Sequence, residues 1–187
     1  MKESEITLST RELGRNLHWW NTPGPPASES EVSEMVAGFV RGLQPELVVE
    51  AGCYRGDTTW RIGMALLHND HGHCFALDND PIAVRSAELR CVALPVTVLL
   101  EDCHVWRPAK EIDLLFVDDG EPRGHWRTVA HFAENMSARG VILVHDTIGC
   151  PSLRDDLEDW CEDNGWTGAY FATPRGLGLL QKGRPSL

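Results

Sequence analysis

The sequence predicts a doubly wound α/β domain on a mostly parallel, seven-stranded sheet, with helices on both faces and an antiparallel C-terminal hairpin. Three observations predict it. Short runs rich in Val, Leu and Ile recur along the chain, continuously apolar as in strands buried on both faces. Segments with apolar residues at helical spacing alternate with them, which calls for a parallel sheet covered on both sides. The 187 residues, 42% hydrophobic and 24% charged, suffice for one domain with a sizeable core.

The elements follow in order. Residues 1–29 read as an N-terminal arm or lid. "NTPGPPASES" is rich in turn-forming residues. "NLHWW" places His18, Trp19 and Trp20 either against the domain or over a pocket. One domain then occupies 30–187. Ser30 is placed to cap a first helix whose Val32, Val36 and Val40 share a face, and Pro45 marks its end. "ELVVEAG" predicts a strand and "DTTWRIGMALLHN" the helix after it. "HCFALD" predicts the second strand, and "PIAVRSAELRCVA" a helix with Pro81 in its first turn. "PVTVLL" and "EIDLLFVDD" predict the third and fourth strands. "GHWRTVAHFAENMSA" predicts a helix ending near Gly140, and "GVILVHD" the fifth strand. "SLRDDLEDWCEDNG" predicts a helix with an acidic, solvated face, and "GAYFATPRGLGLLQK" the closing hairpin, turned at "TPRG".

The formal net charge of −11 argues against a nucleic-acid partner, whose phosphates need a cationic footprint, and against an anionic membrane surface. The six cysteines include no CxxC pair, so reduced, structural thiols are expected. "MKESEITLST" lacks the apolar stretch of a signal peptide, and no run is long enough to span a membrane; the expected compartment is the cytoplasm. His68, His71 and His73 in "LHNDHGH" read as a solvated loop, and Trp60, Trp106, Trp160 and Trp166 as packing residues.

In such sheets ligands bind beyond the carboxyl ends of the strands. The first strand ends in "VVEAGCYRGDTT", with Gly52 and Gly56 in neither GxGxxG nor P-loop spacing. Glu50 would repel a pyrophosphate and attract an ammonium group. S-adenosylmethionine (SAM) is such a ligand: cationic, with an adenosine and no phosphate. Asp78, ending the second strand, can accept from ribose hydroxyls, and Asp102, after the third, from the adenine amine. Tyr54, Thr58 and Asn79 belong to the same turns, and Asp118 to the next strand end.

From about residue 30 onward the chain resembles the class I SAM-dependent methyltransferases, and among them the bacterial relatives of the catechol-type small-molecule O-methyltransferases. "VVEAGCYRGDTT", "FALDND", "LLEDC", "IDLLFVDDGE", "GVILVHDT" and "RGLGLL" carry the likeness in order and spacing. The resemblance implies a Rossmann-like fold, SAM as cofactor, a small-molecule acceptor and a homodimer. It also implies Mg²⁺ at Asp118 and Asp146, with Thr147 where the catechol type has Asn, the metal lowering the pKa of the acceptor hydroxyl. The base in relatives lies three residues after the first aspartate, as Lys or His; here that position is Glu121. His125 and His145 are the other candidates for a catalytic base. The Glu at that position also motivates an alternative, a non-catalytic SAM-binding module or partner subunit. A dehydrogenase is disfavoured by the missing GxGxxG.

Overall fold

Each apolar run of the sequence becomes a strand, and each helical pattern a cover for one face. The computed structural model describes residues 28–183; of the arm expected over residues 1–29, residues 1–27 with the tryptophans lie outside them. In chain order the elements are α1 (Ser30–Leu43), β1 (Leu47–Ala51), α2 (Asp57–Asn69), β2 (His73–Asp78), α3 (Pro81–Arg90), β3 (Val96–Leu100), β4 (Ile112–Val117), α4 (His125–Phe132), β5 (Met136–His145), α5 (Pro151–Asn164), β6 (Trp166–Phe171) and β7 (Leu177–Lys182). The strands form one seven-stranded sheet in the order β3-β2-β1-β4-β5-β7-β6. The first five are parallel; β7 inserts antiparallel between β5 and β6, so β6 at the edge runs with the others. The expected fold class holds.

Alternating strand residues feed two cores. Val48, Cys74, Leu114, Phe116 and Leu143 meet α1 and α2 on one face. Val49, Leu115, Val117, Ile142 and Val144 meet α4 and α5 on the other. Trp106 packs against Phe75 and Phe132, and Trp160 against Trp166, as packing residues should; Trp60 is 39% exposed. All six cysteines are free thiols. His68 and His73 bond the Met64 carbonyl and Thr97, and do not cluster with another ligating side chain. Among the described residues no helix is long and apolar enough to cross a membrane.

The helix predicted through Ala93 ends at Arg90, and the hairpin predicted from Gly168 starts at Trp166; two further boundaries differ for a physical reason. Ser30 is the first helical residue of α1 and not its cap; Glu29 holds the cap position without a capping side-chain bond, because its carboxylate is engaged elsewhere. The helix predicted up to Gly140 ends at Phe132, followed by a 3₁₀ turn at Ala133–Asn135, and Met136 already belongs to β5. Phe132 and Met136 stand at helical spacing, so periodicity alone reads on through the turn. The backbone instead pairs Met136 with Ile112, and the register shifts before Val141 joins Leu114.

Candidate cofactor and active site

The glycine turn after β1 shapes the floor of the site. Gly52 has φ 87°, and the amides of Gly52 and Cys53 both donate to the Leu77 carbonyl at 3.0 Å. A Cβ at Gly52 would collide with the Asp118 carbonyl, so only glycine lets this turn lie against the end of β4. Tyr54 is left-handed at φ 44°, and its amide donates to Asp78 Oδ2 at 2.8 Å. Gly56, at φ 81°, precedes the first residue of α2. Thr58, in the first turn of α2, is buried, its hydroxyl 2.8 Å from that of Ser33.

Beneath this turn Glu50 is 1% exposed. Neither of its carboxylate oxygens, nor the Thr59 hydroxyl, has a hydrogen-bond partner among the described residues. Burial pushes the Glu50 carboxyl up to about 8; Thr59 only partly offsets this, and the negative charges of Asp118 and Asp78 add to it. A buried acid with both oxygens unsatisfied is costly. A ligand ammonium group would satisfy both its charge and its hydrogen bonds.

Glu50 lines a cleft of about 440 Å³ together with Gly52, Tyr54, Asp78, Asp118 and Arg175; Thr58 and Asn79 border the same space. Asp78 accepts from the amides of Tyr54 and Asp80 and retains lone pairs toward the cleft. Past Asp78, Asn79 and Gly120 the cleft meets a recess of about 160 Å³ bordered by Leu77, Asp102, Cys103 and Asp119. Asp102 is exposed and caps its own turn, accepting from the His104 amide at 2.8 Å. Asp119 is better placed for an amine: Oδ2 accepts from Thr128 at 2.9 Å, while buried Oδ1 has no partner among the described residues. The slot thus has at each end a carboxyl with a buried oxygen unpartnered among the described residues, Glu50 and Asp119, and the Asp78 carboxylate between them.

At the other edge of the cleft six groups form one largely buried cluster. His145, fully buried at the end of β5, lies between Asp118 Oδ1 at 3.1 Å and Glu29 Oε2 at 2.6 Å. Ser28 donates to Asp118 Oδ2. Arg175 grips Asp146 with a two-pronged fork, Nε to Oδ1 at 2.6 Å and Nη2 to Oδ2 at 2.8 Å. Its own amide donates to Glu29 Oε1 at 2.9 Å. Burial opposes charge on His145, but the flanking Asp118 and Glu29 win and raise its pKa to about 10. Burial likewise works against the Glu29 and Asp118 carboxylates, yet His145 keeps both below the ordinary carboxylate value.

The donors do not fit Mg²⁺. Asp118 and Asp146 do come together, with His145 between them. However, both Asp146 oxygens are held by the Arg175 guanidinium, and both ring nitrogens of His145 already face carboxylates, Asp118 and Glu29, which leaves neither free for a metal. The Thr147 hydroxyl is buried against the hairpin turn, where a Cβ at Gly176 would fall 2.6 Å away.

The candidate bases separate. Glu121 is exposed on a neighbouring cleft with Arg123 and Trp126. His125 is fully buried, with Nδ1 3.4 Å from the His145 carbonyl and Nε2 unpartnered among the described residues. His145 alone is bonded into the cluster. Sequence reasoning missed Ser28, Glu29 and Arg175, and it placed Asp119 at the end of the fourth strand without giving it a cofactor role. For Arg175 the signal was an arginine in the hairpin turn, just before the strand paired with the one ending in "HD".

A sequence profile described as "Methyltransferase domain" matches residues 49–147, just over half of the chain. No curated protein matches at a significant level. The fold is similar to that of the SAH-bound methyltransferase PaMTH1 of Podospora anserina, with a TM-score of 0.73 and 15% identity over 97% of this chain and 88% of that one. It is also similar to cofactor-bound Rv0187 from MTB (TM-score 0.72, 15% identity, 95% and 88% covered). The O-methyltransferase TomG of Streptomyces achromogenes, solved with SAM and involved in tomaymycin synthesis, gives a TM-score of 0.67 at 16% identity over 98% and 91%. At these identities the likeness is one of fold.

Proposed function

The chain belongs to the methyltransferase domain family, and from that premise we propose that it is an O-methyltransferase for a small hydroxylated molecule, such as a secondary metabolite or a sugar. The methyl donor is SAM, and the observation that carries its placement is Glu50, a buried carboxyl with no partner facing the cleft. The SAM ammonium pairs with Glu50, the ribose hydroxyls with Asp78, and the adenine enters the recess beside Asp119. This leaves the sulfonium methyl facing the acceptor edge formed by Ser28, Asp118, Asp146 and Arg175, which line the same cleft.

An acceptor hydroxyl bonded to Asp118 is held with a lone pair toward the methyl carbon. The oxygen–carbon bond forms as the sulfur–carbon bond breaks, its electron pair returning to sulfur, and the hydroxyl proton leaves to a carboxylate or to solvent. Positioning supplies much of such a rate enhancement. No step passes through a metal. TomG, an O-methyltransferase of the same fold, supports the choice of oxygen.

Calorimetric titration with SAM and SAH tests the cofactor placement, followed by a screen of hydroxylated acceptors with methyl-labelled SAM. Binding with turnover on hydroxyl acceptors is expected. Binding without turnover across the screen would favour the non-catalytic module, and no binding would refute the placement.

A further inference from the structure

We propose that the acceptor edge is divalent-independent, with the Arg175 guanidinium supplying the positive charge that the family resemblance assigns to Mg²⁺. The inference concerns the same cleft as the methyltransferase reading and rests on that reading only where turnover is measured.

The argument is one of charge and geometry. Glu29, Asp118 and Asp146 contribute three carboxylates to one buried cluster, which cannot persist uncompensated. His145 bridges two of them, and Arg175 takes the third through a planar fork that matches a carboxylate edge. The guanidinium is built in at its base. The Arg175 carbonyl accepts from the amides of Ile148 and Gly149, each at 2.8 Å, just beyond the strand that carries Asp146. Its amide is tied to Glu29, and the turn closes at Gly176, whose φ of 88° suits glycine. A Cβ at Gly176 would collide with the Ile148 amide, so the close approach of hairpin and loop depends on that residue.

Mg²⁺ asks for six oxygen ligands in a near-ideal octahedron. To enter, it would have to strip both Arg175 bonds from Asp146 and sit beside a fixed guanidinium. Conversely, removing the guanidinium leaves three carboxylates facing one imidazole, a net negative pocket that would attract a divalent ion.

The test is Mn²⁺ binding, followed by electron paramagnetic resonance on the full chain, with SAH titrated in the same samples. The wild type should show no saturable Mn²⁺ binding through the millimolar range, and EDTA or Mg²⁺ should change SAH affinity and turnover by less than twofold. Arg175→Met should gain a saturable Mn²⁺ site that a second change, Asp146→Asn, removes. Should Arg175→Met fail to fold, Arg175→Gln carries the same expectation. Saturable wild-type binding that Asp118→Asn and Asp146→Asn abolish would overturn the proposal. So would a folded Arg175 variant, judged by SAH binding or circular dichroism, that gains no Mn²⁺ site. Failure of SAH to bind would refute the cofactor placement while leaving the Mn²⁺ result to decide this inference.

Discussion

Glu50 should make cofactor binding a proton-releasing reaction. In the free protein its carboxyl titrates at about 8, so near neutrality it is mostly protonated, whereas pairing with an ammonium requires the carboxylate. An α-amino group titrates at about 7.7–8.0, so the productive pair of charges is most populated near pH 8. Multiplying the two ionised fractions gives an affinity at pH 8 about 25-fold above that at pH 6, with a decline again above pH 8. At pH 6 binding should release about one proton per SAM.

The assay is calorimetry from pH 6 to 9 in buffers of differing ionisation enthalpy, with Glu50→Gln alongside. The variant should lose the proton release and most of the affinity. Its stability should change in the opposite direction. The folded pKa of Glu50 is raised, so the unfolded chain binds fewer protons between about pH 4.5 and 8, and stability falls as pH rises across that window. Without ligand at pH 7 the cost of keeping this proton is about 3 kcal/mol, which Glu50→Gln should largely recover. Buffer-independent heats with a flat affinity profile, or wild-type affinity in Glu50→Gln, would refute the reasoning.

Three further outcomes are expected. Gly52→Ala should lose cofactor binding at least tenfold and destabilise the fold, since a left-handed φ costs about 1–2 kcal/mol for a residue with a Cβ before its clash with the Asp118 carbonyl; denaturant melts and SAH titration measure both. Asp119→Asn should narrow the preference for SAH over its 6-oxo analogue S-inosylhomocysteine, whereas Asp102→Asn should leave that ratio near wild type, and competitive titration reads it. The folded pKa of His145 is raised, so its stabilisation is full below about pH 6.5 and is lost as pH rises through about 10. Thermal melts of His145→Ala should show that alkaline limb gone and, near pH 6, a loss of about 3–5 kcal/mol for breaking a buried charge pair.

The fold was legible where local pattern and long-range pairing agree. "HCFALD" and "DTTWRIGMALLHN" are the strand and helix that their periodicity predicts, residue for residue. It was less legible where two periods overlap, as at Phe132 and Met136, because backbone pairing and not spacing decides between them. Within the site, Glu50, Gly52 and Asp78 could be read because the signal lies in a strand end and its turn. Asp119 was passed over because an acid after β3 and an acid after β4 look alike without their partners, and only burial separates exposed Asp102 from half-buried Asp119. Glu29 leaves no local pattern, and Arg175 only an arginine in a hairpin turn; neither points to the other. They meet in space across 146 residues of chain.

That distance has a consequence for how the molecule becomes functional. Glu29 joins His145 across 116 residues and Arg175 across 146, so the acceptor wall closes only after both ends of the described chain have reached the sheet. Contacts of such separation form late, since loop closure must precede them. The cofactor turn, by contrast, uses partners 24 or 25 residues apart and can form with β1 and β2 alone. A nascent chain could therefore hold a cofactor turn before it has an acceptor site. Hydrogen exchange in the folded protein should reveal the same order in reverse, with the amide of Arg175 opening before those of Gly52 and Cys53.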